Sequence, residues 1–196
     1  MINVNILQIK TRDELPLFLN KLSIIGKGVE IGVEKGEYSE VILKHSKLEI
    51  LYSVDSWKEF PGEEYQDTNN HNQSDHDKNR KDTELKLSKY KKRSQILHMV
   101  SSDAAKKFKD NELDFIYIDA NHSYEGCKKD IELWYPKMRA GGVFAGHDYL
   151  HDGEYNHGTF GVKGAVDEFI NKHNFKLYIT KDVWPTWYII LPYMGK

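Results

Sequence analysis

Three side chains able to ligate a metal stand at the ends of two closely spaced apolar runs. Leu113 to Ile118 reads Leu-Asp-Phe-Ile-Tyr-Ile and finishes on Asp119, and Val143-Phe144-Ala145-Gly146 finishes on His147-Asp148-Tyr149. Short runs rich in aliphatic, β-branched and aromatic residues predict buried strands. Between them, Cys127 to Arg139 carries Ile131, Trp134, Tyr135 and Met138 at helical period, with Pro136 late in the segment and Gly141-Gly142 as its stop. In open α/β sheets the carboxyl ends of the strands form the ligand-binding edge. Asp119, His147 and Asp148 are therefore expected together at that edge, where hard carboxylate oxygens suit Mg²⁺ or Mn²⁺.

A second constellation precedes this one. Val29 to Val33 reads as a buried strand running into a turn, Glu30-Ile-Gly32-Val-Glu34-Lys-Gly36. Glycines in a strand-to-helix turn let a ligand approach the backbone. A dinucleotide fingerprint places its middle glycine against a pyrophosphate, but here that position is Glu34, whose charge opposes a diphosphate and tolerates a cationic cofactor. Asp55 ends the next strand, where its carboxylate can accept two ribose hydroxyls. S-adenosylmethionine, with a ribose, a sulfonium, an ammonium and no phosphate, fits both features; an ordinary turn is the plain alternative.

The elements that must position these residues can be read in order. Thr11-Arg-Asp-Glu14 has the capping-box pattern, and Leu15, Leu17, Phe18, Leu19 and Leu22 follow on one helical side, ended by Gly26 and Gly28. Ser39 opens a helix through Leu43, Leu48 to Val54 is a strand, and residues 62–83 read as a mobile polar surface insertion with helix towards Leu85 and Leu87. Gln95 to Val100 is the next strand, and Ser101 or Ser102 is placed to cap a helix from Ala104 to Phe108. A helix from Val162 to His173 and strands at Lys176 to Thr180 and Thr186 to Leu191 close the chain. Alternating strands and helices with a final adjacent strand pair predict a Rossmann-like, doubly wound α/β sheet whose last strand is antiparallel.

Composition limits the function classes. The 196 residues, 39% hydrophobic and 30% charged, suit one domain, with residues 1–27 as an N-terminal helical segment. A net charge of −2 gives no global field for nucleic acid or an anionic membrane. The single Cys127 forms no internal disulfide, and neither a leader-like N-terminus nor a run of spanning length is seen, so a cytoplasmic protein is expected. Lys86, Lys89, Lys91, Lys92 and Arg93 read as a solvated helix face, with a dock for an anionic acceptor as the alternative.

With these residues in view, the chain resembles a class I S-adenosylmethionine-dependent methyltransferase, of the small family that includes macrocin-type sugar O-methyltransferases. The likeness spans about Val29 to Phe169. It is sharpest in Asp114-Phe-Ile-Tyr-Ile-Asp-Ala-Asn-His-Ser-Tyr-Glu125, Trp134-Tyr-Pro-Lys-Met-Arg-Ala-Gly-Gly142 and Gly146-His-Asp-Tyr149. The resemblance implies a seven-stranded sheet with the last strand reversed. It also implies that Glu30, Gly32 and Gly36 line the methionine part of the cofactor, that Asp55 holds the ribose, and that Ser102 and Asp103 border the adenine. Asp119, beside the cofactor, and Asp148 match the positions of a divalent-cation site. His147 stands where an acidic ligand is commoner, and His122 occupies the place of a catalytic base.

The chemistry implied is methyl transfer to a small-molecule hydroxyl such as that of a sugar. Such a hydroxyl holds its proton at neutral pH, so a cation that stabilises the alkoxide and a base such as His122 would both help. Three rivals remain open: a metal-dependent hydrolase, a nucleotide-dependent oxidoreductase, and a non-catalytic cofactor-binding module. Glu34 opposes the oxidoreductase, and a hydrolase gives no reason for the Gly32, Gly36 and Asp55 set. A binding module would have no need of His122 with the acids. Cys127 falls within a helical pattern with no activating context.

Overall fold

A computed structural model describes residues 8–62 and 67–193. The reading of the extreme N-terminus therefore lies almost wholly outside the described residues, as do residues 63–66 of the polar stretch.

Seven strands make one sheet in the order β3-β2-β1-β4-β5-β9-β8. β1 (Lys27–Ile31), β2 (Ile50–Asp55), β3 (Ser94–His98), β4 (Leu113–Ile118) and β5 (Met138–Gly146) run parallel, and β9 (Trp187–Ile190) is antiparallel to both β5 and β8 (Tyr178–Ile179). β4 is central and buried at every position, as the apolar run Phe115 to Ile118 requires in a sheet covered on both faces, while its Asp114 pairs with Arg139 and accepts the Lys27 N–H. Phe115 and Tyr117 pack on one face with Leu15, Phe18 and Leu19 of α1 (Leu15–Lys21) and Ile42 and Leu43 of α2 (Glu37–His45). Ile116 and Ile118 point the other way, into a core with α4 (Ser101–Ala105), α5 (Tyr124–Trp134) and α6 (Val162–His173). The period-two alternation of the pleat divides the two layers. Among the described residues no helix is long and apolar enough to cross a membrane.

Several boundaries differ from the sequence reading, each for a local reason. Thr11 makes no side-chain cap; Glu14 instead accepts the Lys10 N–H at 2.8 Å. α1 ends at Lys21, and Gly28 lies inside β1 under Leu48 and Phe115 rather than at a helix end. α5 stops at Trp134 and passes through a 3-10 turn containing Pro136, so Met138 and Arg139 begin β5 and Gly141-Gly142 lie within it. The register against β4 shifts there, with Leu113 opposite Met138 but Phe115 opposite Val143. A Cβ on Gly142 would sit 2.8 Å from the Asp114 carbonyl oxygen, so the irregular pairing needs glycine. Ser101 and Ser102 lie inside α4 rather than capping a later helix.

The largest correction concerns residues 62–83. Gln73–Ser88 forms the sixteen-residue α3, capped by the Asn72 side chain, which accepts the Asp75 N–H at 3.0 Å. Its docked side buries His76, Asn79 and Thr83 besides Leu87, and Thr83 Oγ1 donates to the Glu34 carbonyl at 3.2 Å. Hydrogen bonds to the glycine turn replace an apolar stripe, which is why periodicity gave little sign of it. The loop after Tyr149 holds a further hairpin, β6 (Gly153–Tyr155) and β7 (Gly158–Phe160). Of the basic cluster, Arg93 donates to the carbonyls of Leu43, Ser46 and Leu48, and Lys89 pairs with Glu40, so only part of it is a free solvated face.

Candidate functional site

Three backbone bonds carry the parallel ladder to the sheet's carboxyl edge: Gly32 N–H to Val54 O (2.9 Å), Asp119 N–H to Ile31 O (2.7 Å) and His147 N–H to Ile118 O (2.9 Å). They fix the ends of β1, β4 and β5 side by side. Gly32 has φ +84°, and a Cβ there would fall 1.8 Å from the Asp119 carbonyl oxygen. The turn and the Asp119 strand end thus touch backbone to backbone, which only glycine permits.

Asp119, His122, His147 and Asp148 meet at this edge. His122 Nε2 lies 3.0 Å from Asp148 Oδ2 and 3.4 Å from Asp119 Oδ1, and His147 Nδ1 lies 2.8 Å from Asp148 Oδ1 and 3.8 Å from Asp119 Oδ1. The compact ligand set, with donor atoms all within 4.8 Å, is Asp119, His122 and Asp148. His147, expected as the nitrogen ligand, is in the cluster but lies farther from Asp119 than His122 does. The cluster's donor chemistry, two carboxylates and imidazole nitrogen, fits a divalent cation.

A fifth member went unseen in the sequence. Asp67, from the stretch read as an insertion, has a buried side chain that accepts from His122 Nδ1 at 2.6 Å. The His122 ring also stacks on Phe160 at 4.8 Å, and its carbonyl accepts the Gly161 N–H. Burial works to lower the His122 pKa, but Asp119, Asp148 and Asp67 more than offset it and hold the ring protonated well above the usual histidine range. Asp148, at φ +58°, is opposed by burial yet held well below the usual carboxylate range by the two imidazoles. Only an ordinary polar residue in a polar run marks Asp67 in the sequence, and no motif signals it.

A cavity of about 520 Å³ opens beside the cluster, walled by the ends of β1, β2 and β4 together with α4 and α5. Glu30, Gly32, Asp55, Ser102 and Asp119 line it, whereas Asp103 does not; that carboxylate pairs with Lys106 at 2.7 Å on the surface. Gly36 caps α2 in the left-handed conformation, also outside the lining. Glu30 is buried beneath the turn, and burial pushes its carboxyl up to about 8 although Ser39 donates a hydrogen bond to it. Asp55 Oδ2 accepts the Val33 and Glu34 N–H groups at 2.8 and 2.9 Å, and Oδ1 accepts that of Trp57 at 2.7 Å. The acid expected at a ribose therefore also braces the glycine turn. Trp57 is a core residue, its indole N–H donating to the Glu34 carbonyl at 2.7 Å, while Phe60 lines the cavity.

Two further lining residues escaped the sequence reading. Arg12 reaches the cavity from the segment before α1. Asp130 lies on α5, buried and bonded by Ser101 Oγ, and burial raises its carboxyl to about 6.

Comparison with known proteins agrees with this architecture. Residues 29–149 match the family model described as a methyltransferase domain. No curated protein matches the chain. A candidate caffeoyl-CoA O-methyltransferase from Staphylococcus aureus superposes with TM-score 0.65 at 16% identity, over 95% of this chain and 87% of its own. An O-methyltransferase from Bacillus cereus, solved with S-adenosylhomocysteine, gives 0.62 at 14% identity, over 91% and 80%. At such identities these likenesses are of fold. The family match covers well over half of the chain, so this protein belongs to the methyltransferase-domain family and is an S-adenosylmethionine-dependent methyltransferase.

Proposed function

We propose that this protein methylates a hydroxyl of a small molecule, most simply a sugar or glycan, with a divalent cation at Asp119 and Asp148 and with His122 as proton acceptor. The described residues form one such domain, which works in the cytoplasm. One observation carries the reading: Asp119 belongs both to the cavity wall and to the carboxylate–histidine cluster. A cofactor in the cavity and an acceptor at the cluster would therefore meet at one side chain.

The cavity suits S-adenosylmethionine. Its wall carries six carboxyl groups (Glu30, Glu34, Glu37, Asp55, Asp119, Asp130), of which burial keeps Glu30 uncharged at neutral pH, against four Lys or Arg (Arg12, Lys35, Lys58, Lys129); this near-balance offers a diphosphate no excess of positive charge and admits a sulfonium. Bound there, the cofactor supplies the electrophilic methyl group. A cation held by Asp119 and Asp148 supplies positive charge beside the acceptor oxygen.

The chain's own residues then have defined tasks. Asp67 fixes the His122 Nδ1 proton, so that loss of the other proton leaves a lone pair on Nε2, facing Asp119 and Asp148. The observed ring, bonded to carboxylates through both nitrogens, corresponds to the acid form that follows proton capture. Phe160, Tyr155 and Trp184 pack together beside His122, and none of them lines the cofactor cavity. This aromatic wall suits the carbon face of an acceptor ring.

Transfer of labelled methyl from S-adenosylmethionine to a panel of free and nucleotide-linked sugars tests the reading. Chelator should abolish transfer and Mg²⁺ or Mn²⁺ restore it. Full activity in chelator overturns the cation, and methylation confined to amines overturns the hydroxyl acceptor. The 3.0 and 3.4 Å distances favour one variation, His122 itself as a ligand. Mn²⁺ binding retained in His122→Ala, with methyl transfer slowed roughly a hundredfold or more, assigns it as base; loss of Mn²⁺ assigns it as ligand.

A further inference from the structure

The cofactor that the proposed function requires has a charged group for which the sequence supplied no partner, its carboxylate. We propose that Arg12 is the receptor for that carboxylate.

Arg12 stands outside the family match at 29–149, and three separate contacts bring it to the cavity. Its N–H donates to Asp182 Oδ2 at 2.8 Å, and its carbonyl accepts the Tyr38 hydroxyl at 3.0 Å. The guanidinium lies over the Tyr38 ring, 4.7 Å from its centroid. The head group is thus well placed, and beyond a hydrogen bond to the Tyr117 hydroxyl it keeps donors for a ligand. Among the described residues its one ion pair is Nη1 to Asp119 Oδ2 at 3.5 Å, longer than the roughly 2.7–2.9 Å of a charge-assisted bond. A guanidinium has five N–H donors in a planar fork that matches a carboxylate two to two.

The chemistry of transfer fixes the end of the cavity at which the carboxylate must lie. The methyl group has to face the acceptor at Asp119, His122 and Asp148, and the same sulfur carries the amino-acid arm. That arm therefore lies within a few bonds of the cluster, while the nucleoside extends towards Asp55 and Ser101. Of the four cationic side chains on the wall, Arg12 is the one in contact with Asp119. Lys35 pairs with Glu34 at 2.9 Å, Lys58 lies over Phe60, and Lys129 is on α5 beside Asp130. The neighbouring Asp119 suits the ammonium of the same arm, and the Glu30 carboxyl, kept uncharged by burial, can accept a hydrogen bond from it.

This inference rests on the cofactor reading, and one calorimetric comparison separates the two. S-adenosylhomocysteine and its decarboxylated analogue, S-adenosyl-3-thiopropylamine, differ only in the carboxylate. Wild type should bind S-adenosylhomocysteine about tenfold to a hundredfold more tightly, the range of a charge-assisted pair. Arg12→Ala should erase that preference by weakening S-adenosylhomocysteine alone, leaving the analogue's affinity in place. Arg12→Lys, which keeps the charge but loses the fork, should retain a reduced preference and guards against a folding defect in the alanine variant. An undiminished preference in Arg12→Ala, or equal weakening of both ligands in both variants, overturns the assignment of Arg12. Wild type that binds neither ligand overturns the cofactor reading, and this inference with it.

Discussion

Replacing Asp67 probes the base from outside the family motifs. Its contact with His122 Nδ1 is 2.6 Å, with side-chain exposures of only 8% and 4%, so solvent screens it little. A hydrogen bond to a charged group contributes about 1.5–3 kcal/mol, equivalent to roughly tenfold to a hundredfold in the population of the correct imidazole state. Asp67→Ala should lower kcat by that factor. Asp67→Asn should cost more, because its amide can donate to Nδ1 and leave the proton on Nε2, the wrong tautomer for a base acting there. The pH profile adds a second signature. Asp67 is among the groups that raise the His122 pKa. Activity that requires neutral His122 increases as pH rises through that pKa, so removing Asp67 should move the acid limb to lower pH while the plateau falls. Steady-state kcat measured from about pH 5 to pH 9 reads both effects. An unmoved limb with an undiminished plateau would remove Asp67 from any part in setting the His122 proton.

Asp55→Ala removes the acceptor of three backbone N–H groups as well as the expected ribose ligand; S-adenosylmethionine affinity by calorimetry should fall about tenfold to a hundredfold, with a lower melting temperature. Gly32→Ala forces a Cβ to 1.8 Å from the Asp119 carbonyl at φ +84°; thermal unfolding should show a loss of about 3 kcal/mol or more, and calorimetry no cofactor binding. Asp130 has a folded-state pKa of about 6 against the ordinary 3.8. A raised carboxyl pKa gives stability that is complete below about pH 4 and lost as pH rises through about 6, on the order of 3 kcal/mol. Asp130→Asn should therefore melt higher than wild type at pH 8, with the advantage shrinking towards pH 4; an advantage independent of pH would contradict the assignment.

Where burial and period were strong, the sequence was legible. The helix Val162–His173 was bounded correctly because its buried side, Val162, Ala165, Val166 and Phe169, repeats at helical spacing. The Asp119 strand end was legible because Phe115 to Ile118 form an apolar run that leads straight into it, and the sheet edge then followed from topology. Elements held by polar contacts were not. α3 docks through His76, Asn79 and Thr83, residues that in a sequence look like a solvated loop. In the β6–β7 hairpin β6 is wholly exposed and β7 buries only Phe160, so no alternation marks it. Arg12 and Asp67 are far in sequence from Asp119 and His122, and only the fold closes those distances. The exchange of His147 for His122 in the compact ligand set is a matter of side-chain reach, which strand ends do not reveal.

In the proposed function one side chain, Asp119, joins the cofactor cavity to a cation-assisted methyl acceptor site. Crystals grown with S-adenosylhomocysteine and Mn²⁺ test it most directly through the anomalous signal of manganese. A single strong peak is expected in ligating contact with Asp119 and Asp148, with the cofactor's sulfur turned towards it from the cavity. A manganese peak elsewhere, or a cofactor bound with its sulfur away from Asp119, would contradict it.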